Sequence, residues 1–252
     1  MGVNTLWAGL TSFVFLLLFV HSLMPTAVSL MLRNSVVSII GRGLPMAFPL
    51  RNRSTSSAPV PEFNVHPPKL KPGTFGIIAA HHNGVIGDGR GNIPWEGRAQ
   101  IDRHFFKTCV QGGALIMGRV TWEETCTTMT PLGGVPGCYN VVVTSNRKLG
   151  VDRNSTCIAS GFQEGVEIAF EKQLPVWVVG GHNIYQCALA DKRVSALVLT
   201  SIEGDIGWKH AQGGGEGAIL FPEFDATLWQ SKEQIVWSEE SGLKCTVNLL
   251  QT

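Results

Sequence analysis

Four stretches of the sequence hold residue types that could do chemistry, and three of them follow directly on a short apolar run. The first, HHNGVIGDGRGNIPW from His81 to Trp95, contains four glycines and ends in Pro94-Trp95. It reads either as an ordinary surface loop or as a loop that closes over a ligand. The second, AQIDRHFFKTCV, puts Asp102 and Phe106 four residues apart, on one face of a helix. An acid on an apolar helix face is costly when buried without a partner. A cationic or amidine-like ligand edge would offset that cost, and a solvated acid at the helix start is the plainer alternative. The third stretch is Gly118-Arg119-Val120-Thr121-Trp122, a glycine leading into a helix start, where free N–H groups suit phosphate and Arg119 adds a forked donor. The fourth, Gly180-Gly181 before His182-Asn183-Ile184-Tyr185, permits close backbone approach to a pyrophosphate. Either glycine turn is common alone. Together they make two anion sites at the ends of neighbouring strands, without the G-x-G-x-x-G fingerprint of the usual dinucleotide fold.

These residues need elements to hold them. Apolar runs at Phe75 to Ala80, 114–117, 139–144, 175–180 and 195–200 predict buried strands. Helices are predicted over about 99–110, 119–126, 162–172 and 182–190, with Gly118, Gly161 and Gly180-Gly181 at the changeovers. Strands alternating with helices predict an open, mostly parallel α/β sheet covered on both faces. EQIVWSEE, a turn at Ser241-Gly242 and LKCTVNLL predict an antiparallel hairpin at the end. In such sheets ligands sit outside the carboxyl ends of the strands, where the four stretches fall.

The 252 residues are 44% hydrophobic and 15% charged, which excludes a disordered chain and a polytopic membrane protein. A net charge of +1, with no Lys/Arg-rich run, gives no field for nucleic acid. The six cysteines form no C-x-x-C pair and no metal-ligand spacing with histidine, so they read as reduced thiols and no metal site is expected. The charge is uneven: residues 1–61 hold no Asp or Glu and only Arg33, Arg42, Arg51 and Arg53. Three segments follow from this: 1–32, apolar and free of charge; 33–73, basic and Ser/Pro-rich; and 74–252, the folded domain. The apolar run from Leu6 to Leu32 is long enough for a membrane anchor, while the next part has the composition of an organelle transit peptide. A bipartite address (as to a plastid), a start at Met31, and an anchor with a basic linker all stay open; the mitochondrion is the expected destination.

In order and spacing, GIIAAHHNGVIG, NIPW, IDRHFFK, IMGRVTWE, VVVTS, VVGGHNIY and LVLTSIE resemble the dihydrofolate reductase family over residues 75–252. The resemblance implies an eight-stranded, mostly parallel sheet and reduction of 7,8-dihydrofolate to tetrahydrofolate with NADPH. It implies that Asp102, Thr200 and Trp95 are the catalytic residues: Asp102 pairs with the pterin N3 and 2-amino edge and supports protonation at N5, with Thr200 bonded to that acid. Phe106 and Ile78 would pack on the substrate rings. Ala80 and Ile86 would touch the nicotinamide, with loop 87–95 closing over it. Gly118, Arg119 and Thr121 would meet the cofactor phosphates, with Arg119 near the ribose 2′-phosphate. Thr144 and Ser145 would serve the adenosine side, and Gly180, Gly181, Asn183, Ile184 and Tyr185 the pyrophosphate and nicotinamide ribose.

Three departures accompany the resemblance. Cys138, in VPGCYN, stands where the family's arginine clamps the substrate's α-carboxylate, and Thr130 stands where a nearby arginine is often found. Lys107 is the expected substitute cation, ahead of Arg98 and Arg103. Ala218 replaces the acid that steadies the family's active-site loop, after a Gly-rich insertion IGWKHAQGGGEG. The competing expectations are a catalytically weak accessory subunit of an organellar membrane assembly, and a reductase of an untailed pterin.

Overall fold

Successive side chains of a strand point to opposite faces of its sheet, and the apolar runs sort accordingly. In the computed structural model, Ile77, Ala114, Ile116, Val141 and Val178 join one core with Phe162, Val166, Ile184 and Ala188. Their strand neighbours Ile78, Leu115, Met117, Val142 and Trp177 join another with Phe105, Cys109 and Trp122. Both faces of the sheet are therefore covered, as continuous rather than alternating apolar runs require. The structure describes residues 67–252, apart from 132, 208–216 and 239–241. The expected anchor, most of the basic segment, most of the Gly-rich insertion and Ser241 of the expected turn lie outside the described residues.

The strands are β1 (Phe75–His81), β2 (Val85–Gly87), β3 (Ala114–Gly118), β4 (Tyr139–Val143), β5 (Thr156–Ala159), β6 (Val176–Gly180), β7 (Val194–Glu203), β8 (Ile219–Leu220), β9 (Gln230–Ser238) and β10 (Lys244–Gln251). The helices are α1 (Gln100–Val110), α2 (Arg119–Thr128), α3 (Phe162–Glu171) and α4 (His182–Leu189). Eight strands form one sheet in the order β5-β4-β3-β6-β1-β7-β10-β9, and β2 pairs with β8 separately. The first six are parallel; β10 runs antiparallel to β7 and β9 runs antiparallel to β10. The mostly parallel α/β sheet and its closing hairpin are as expected.

Chain direction explains which helix covers which face. From β1 through β3 and β4 to β5 the chain steps one way across the sheet, and from β5 through β6 to β7 it steps back. Right-handed crossovers then place α1 and α2 on one face and α3 and α4 on the other, in agreement with the two cores. β6 lies between β1 and β3, with connections leaving to opposite faces on its two sides. A crevice opens there at the carboxyl ends.

Three strands lacked a sequence signal. β5 has four residues, TCIA, of which only Thr156 and Ala159 are buried. β2 and β8 have three and two residues and are defined by pairing with each other.

Candidate active site

The crevice widens into a cleft of about 850 Å³ lined from β1, β3, β6 and β7, from α1, α2 and α4, and from the loops after β1 and before β8. Ile78, Ala80, Ile86, Trp95, Asp102, Phe106, Gly118, Arg119, Thr121, Gly180, Gly181, Asn183, Ile184, Tyr185 and Thr200 all line it. Thr144 and Ser145 do not. They follow Val143, which pairs with Gly118 at the cleft wall, but Ser145 is exposed and the Thr144 hydroxyl accepts the Asn146 N–H at 3.1 Å.

One half of the cleft is built on α1. Phe105, Cys109 and Val110 bury its inner side, and Asp102, in its first turn, faces the cleft with Phe105 and Phe106. Trp95, 4% exposed, donates its indole N–H to Asp102 Oδ2 at 3.4 Å. Across the sheet, Ala80 pairs with Thr200, which is 2% exposed. The phenol of Tyr185 donates to the Ile78 carbonyl at 2.9 Å. Burial first, and then the negative charge of Asp102, push that phenol up in pKa, so it stays a donor. The same two causes push the Cys109 thiol up to about 12. The charge of the acid is thus felt by two groups that hold their protons.

The other half is made of two helix starts. Gly118 precedes α2 and Gly181 precedes α4; neither start has a side-chain cap or an acid in its first turn. The leading N–H groups of both are thus left to an anion. The two turns abut: a Cβ on Gly118 would lie 3.3 Å from Ile184 and 3.7 Å from the Gly181 nitrogen. Gly180 has φ 137°, joins Gly181 through a cis peptide bond, and leaves 3.0 Å between a hypothetical Cβ and Thr121 Oγ1. With that φ any side chain would be strained, and its Cβ would crowd Thr121. Arg119 donates to both oxygens of Glu123 at 2.6 Å, an exposed pair one helical turn apart. His182, which the sequence reading left without a role, also lines the cleft, its Nδ1 2.8 Å from the Leu220 carbonyl.

Comparison with known proteins agrees with this geometry. The family model for dihydrofolate reductase matches residues 75–251. This chain belongs to the dihydrofolate reductase family. The dihydrofolate reductase of Mycobacterium tuberculosis strain H37Rv is 36% identical over 171 residues, covering 67% of this chain and 91% of the relative. That of Neisseria gonorrhoeae is 30% identical over 165 residues, 63% of this chain and 84% of the relative. In fold, the dihydrofolate reductase of Enterococcus faecalis complexed with NADP(H) and RAB-propyl superposes with a TM-score of 0.57 at 23% identity, over 71% of this chain and 96% of that one.

Within the family frame, the departures acquire physical form. Cys138 is 7% exposed, packs in the core under α1 and α2, and its thiol lies 3.2 Å from the Val110 carbonyl. It does not line the cleft. Lys107 does not line it either, being exposed one helical turn beyond Arg103. Of the three candidate cations Arg103 alone lines the cleft, as do the acids Glu96 and Glu124. Arg103 and Glu124 had a signal, since Arg103 adjoins Asp102 and Glu124 follows Thr121 by three positions on α2. Glu96, in a loop, had none.

The loop after β1 is held from within. The Asp88 carboxylate accepts the Arg90 N–H at 2.7 Å, the Asn92 N–H at 3.0 Å and the Asn92 side-chain amide at 2.7 Å. Burial alone would raise its pKa; these donors outweigh burial and hold the carboxyl below its usual range. The same loop meets the Ala218 segment through backbone: Val85 pairs with Leu220 and Gly87 with Ile219, and Phe221 N–H donates to the Gly84 carbonyl at 2.8 Å.

Proposed function

We propose that this protein reduces 7,8-dihydrofolate to tetrahydrofolate with NADPH. One observation carries the reading: a half-buried acid, Asp102, faces two adjoining, uncapped helix starts across a single cleft. A pterin edge and a dinucleotide pyrophosphate have those complementary needs. The donor set fits NADPH: two N-terminal turns for the pyrophosphate, Thr121 beside Gly180, and Arg119 for a 2′-phosphate. When bound, NADPH supplies the hydride. The protein's own residues would bind, orient and manage the proton. Asp102 would pair with the N3 and 2-amino edge of the pterin and favour the N5-protonated form. Phe106 and Ile78 would hold the ring, and the 87–95 loop would exclude water. Trp95 would keep the acid oriented through its indole N–H.

The deciding assay follows absorbance at 340 nm with the full-length protein, NADPH and dihydrofolate. Turnover that needs both compounds supports the proposal; no turnover from protein that binds NADPH overturns it. A second reading, reduction of a pterin lacking a glutamate tail, is favoured by the burial of Cys138 away from the cleft. It gains only if the untailed pterin is turned over at least as well as dihydrofolate.

A further inference from the structure

The substrate half of the cleft has one cation at its rim. Among the described lining residues only Arg103, Arg119 and His182 can carry positive charge, and Arg119 and His182 begin the two helices at the glycine turns. Arg103 is next to Asp102 on α1. Its guanidinium reaches two other elements: Nη1 donates to Glu96 in the loop at 2.8 Å, and Nη2 to the Thr128 carbonyl at the end of α2 at 2.7 Å. Arg103 thus ties α1 both to the loop and to the end of α2. Its ion pair with Glu96 is open to solvent, the two side chains being 29% and 31% exposed. Such a pair is weak and exchangeable. Glu124, the other acid of this wall, is raised in pKa by burial first, with Glu96 raising it further and Arg103 lowering it; the three groups feel one another.

We propose that Arg103 sets substrate specificity at the mouth, giving up Glu96 to bind the carboxylate at the outer end of the substrate. The inference rests on the dihydrofolate reading, whose substrate ends in a glutamate. The exchange conserves charge, one carboxylate replacing another on the same fork, while the bond to Thr128 holds the guanidinium in place. Position 138 offers no alternative, because its side chain is in the core. Glu96 and Glu124 then act as competitors of the ligand carboxylate, so the mouth has a tunable preference rather than a fixed clamp.

The test uses the full-length protein saturated with NADPH and two probes, a 2,4-diaminopteridine with a benzoylglutamate tail and the same compound as its glutamate diamide. The unmutated protein is expected to prefer the acid by roughly tenfold, about one charge-assisted contact. Arg103→Met removes that preference, and Arg103→Lys keeps only part of it. Glu96→Gln, which frees the guanidinium, enlarges it. If Arg103 merely braces α1 to α2, Arg103→Met weakens both probes alike, lowers the thermal midpoint and leaves the ratio unchanged. That outcome overturns the proposal. Equal affinity of the unmutated protein for both probes overturns it too, while leaving the pterin site standing. Failure to bind either probe, with NADPH still bound, overturns the pterin reading and this inference together.

Discussion

Asp102 is the residue whose chemistry can be isolated most cleanly, because the contact that orients it comes from Trp95 and the cofactor half of the cleft is built on other elements. Asp102→Asn keeps the shape and removes the charge that favours a protonated pterin. Turnover at neutral pH should fall by about 10²- to 10⁴-fold, with NADPH affinity changed by less than about threefold. A mutant that raises KM and preserves kcat would contradict the role. Arg119 poses a question of competition, since Glu123 already engages its Nη1. An exposed pair one turn apart is worth about 0.3–0.5 kcal/mol, whereas a charged contact with a 2′-phosphate is worth about 1.5–3 kcal/mol. The phosphate wins. Arg119→Ala should therefore erode the preference for NADPH over NADH by roughly 10- to 100-fold, while Glu123→Gln should raise it by no more than about threefold. Equal affinity for both cofactors in the unmutated protein would remove Arg119 from the phosphate site. At this scale the sequence was legible where motif and spacing coincide, as at Asp102, Gly118 and Tyr185. It was illegible where the answer depends on which side chains reach the cleft, as with Arg103, which lines it, and Lys107, which does not.

Among elements, the loop after β1 and the segment ending at β8 touch backbone to backbone. Gly89 has φ 74°, and a Cβ there would fall 1.9 Å from the Gly217 carbonyl oxygen. Gly89→Ala should separate the two segments without disturbing the main sheet. Trypsin should cut after Arg90 several-fold faster, with a small change in thermal midpoint; an unchanged cutting rate would show that the backbone contact does not hold the loop. A second tie joins α3 to the turn between α4 and β7. Arg193 pairs with Asp191 at 2.7 Å and Glu167 at 2.7 Å and also bonds Gln163. The hydrogen bonds from Arg193, against the effect of burial, hold Asp191 at a pKa of about 2. A depressed carboxylate stabilises above its unfolded pKa, and the gain is lost as pH falls through the folded one. Asp191→Asn should thus cost on the order of 2 kcal/mol near pH 6, and the gap should close between about pH 4 and pH 2. Urea midpoints of both proteins across that window measure it, and a pH-independent gap would show that packing dominates. Strands of five or more residues were readable in the sequence, because burial on both faces forces continuous runs in the parallel ones. β2, β5 and β8 were not, because so few residues carry no periodicity and their partners alone define them.

For the molecule as a whole, charge is divided along the chain in a way the net value hides. Residues 1–61 carry four arginines and no acid, which leaves residues 62–252 with sixteen basic and nineteen acidic side chains. No requirement of the cleft explains that division, since every lining residue lies between Ile78 and Leu220. An acid-free basic leader does have a physical use: a potential negative on the far side of a membrane draws each positive charge across with about 2.3 kcal/mol per 100 mV. Four arginines multiply that pull, and a single acid would cancel part of it. We propose on this basis that residues 1–61 direct the protein to the mitochondrion. Residues 31–73 fused to a fluorescent reporter, with and without residues 1–30, test the proposal. Import of the shorter fusion, lost when the membrane potential is collapsed or when Arg33, Arg42, Arg51 and Arg53 are changed to Gln, is the expected result. Import of the longer fusion alone would assign the address to both parts. Retention of the longer fusion in membranes after alkaline extraction would instead make Leu6 to Leu32 an anchor, and a cytosolic reporter from both fusions would end the targeting proposal, leaving the charge division to be explained by something other than transport.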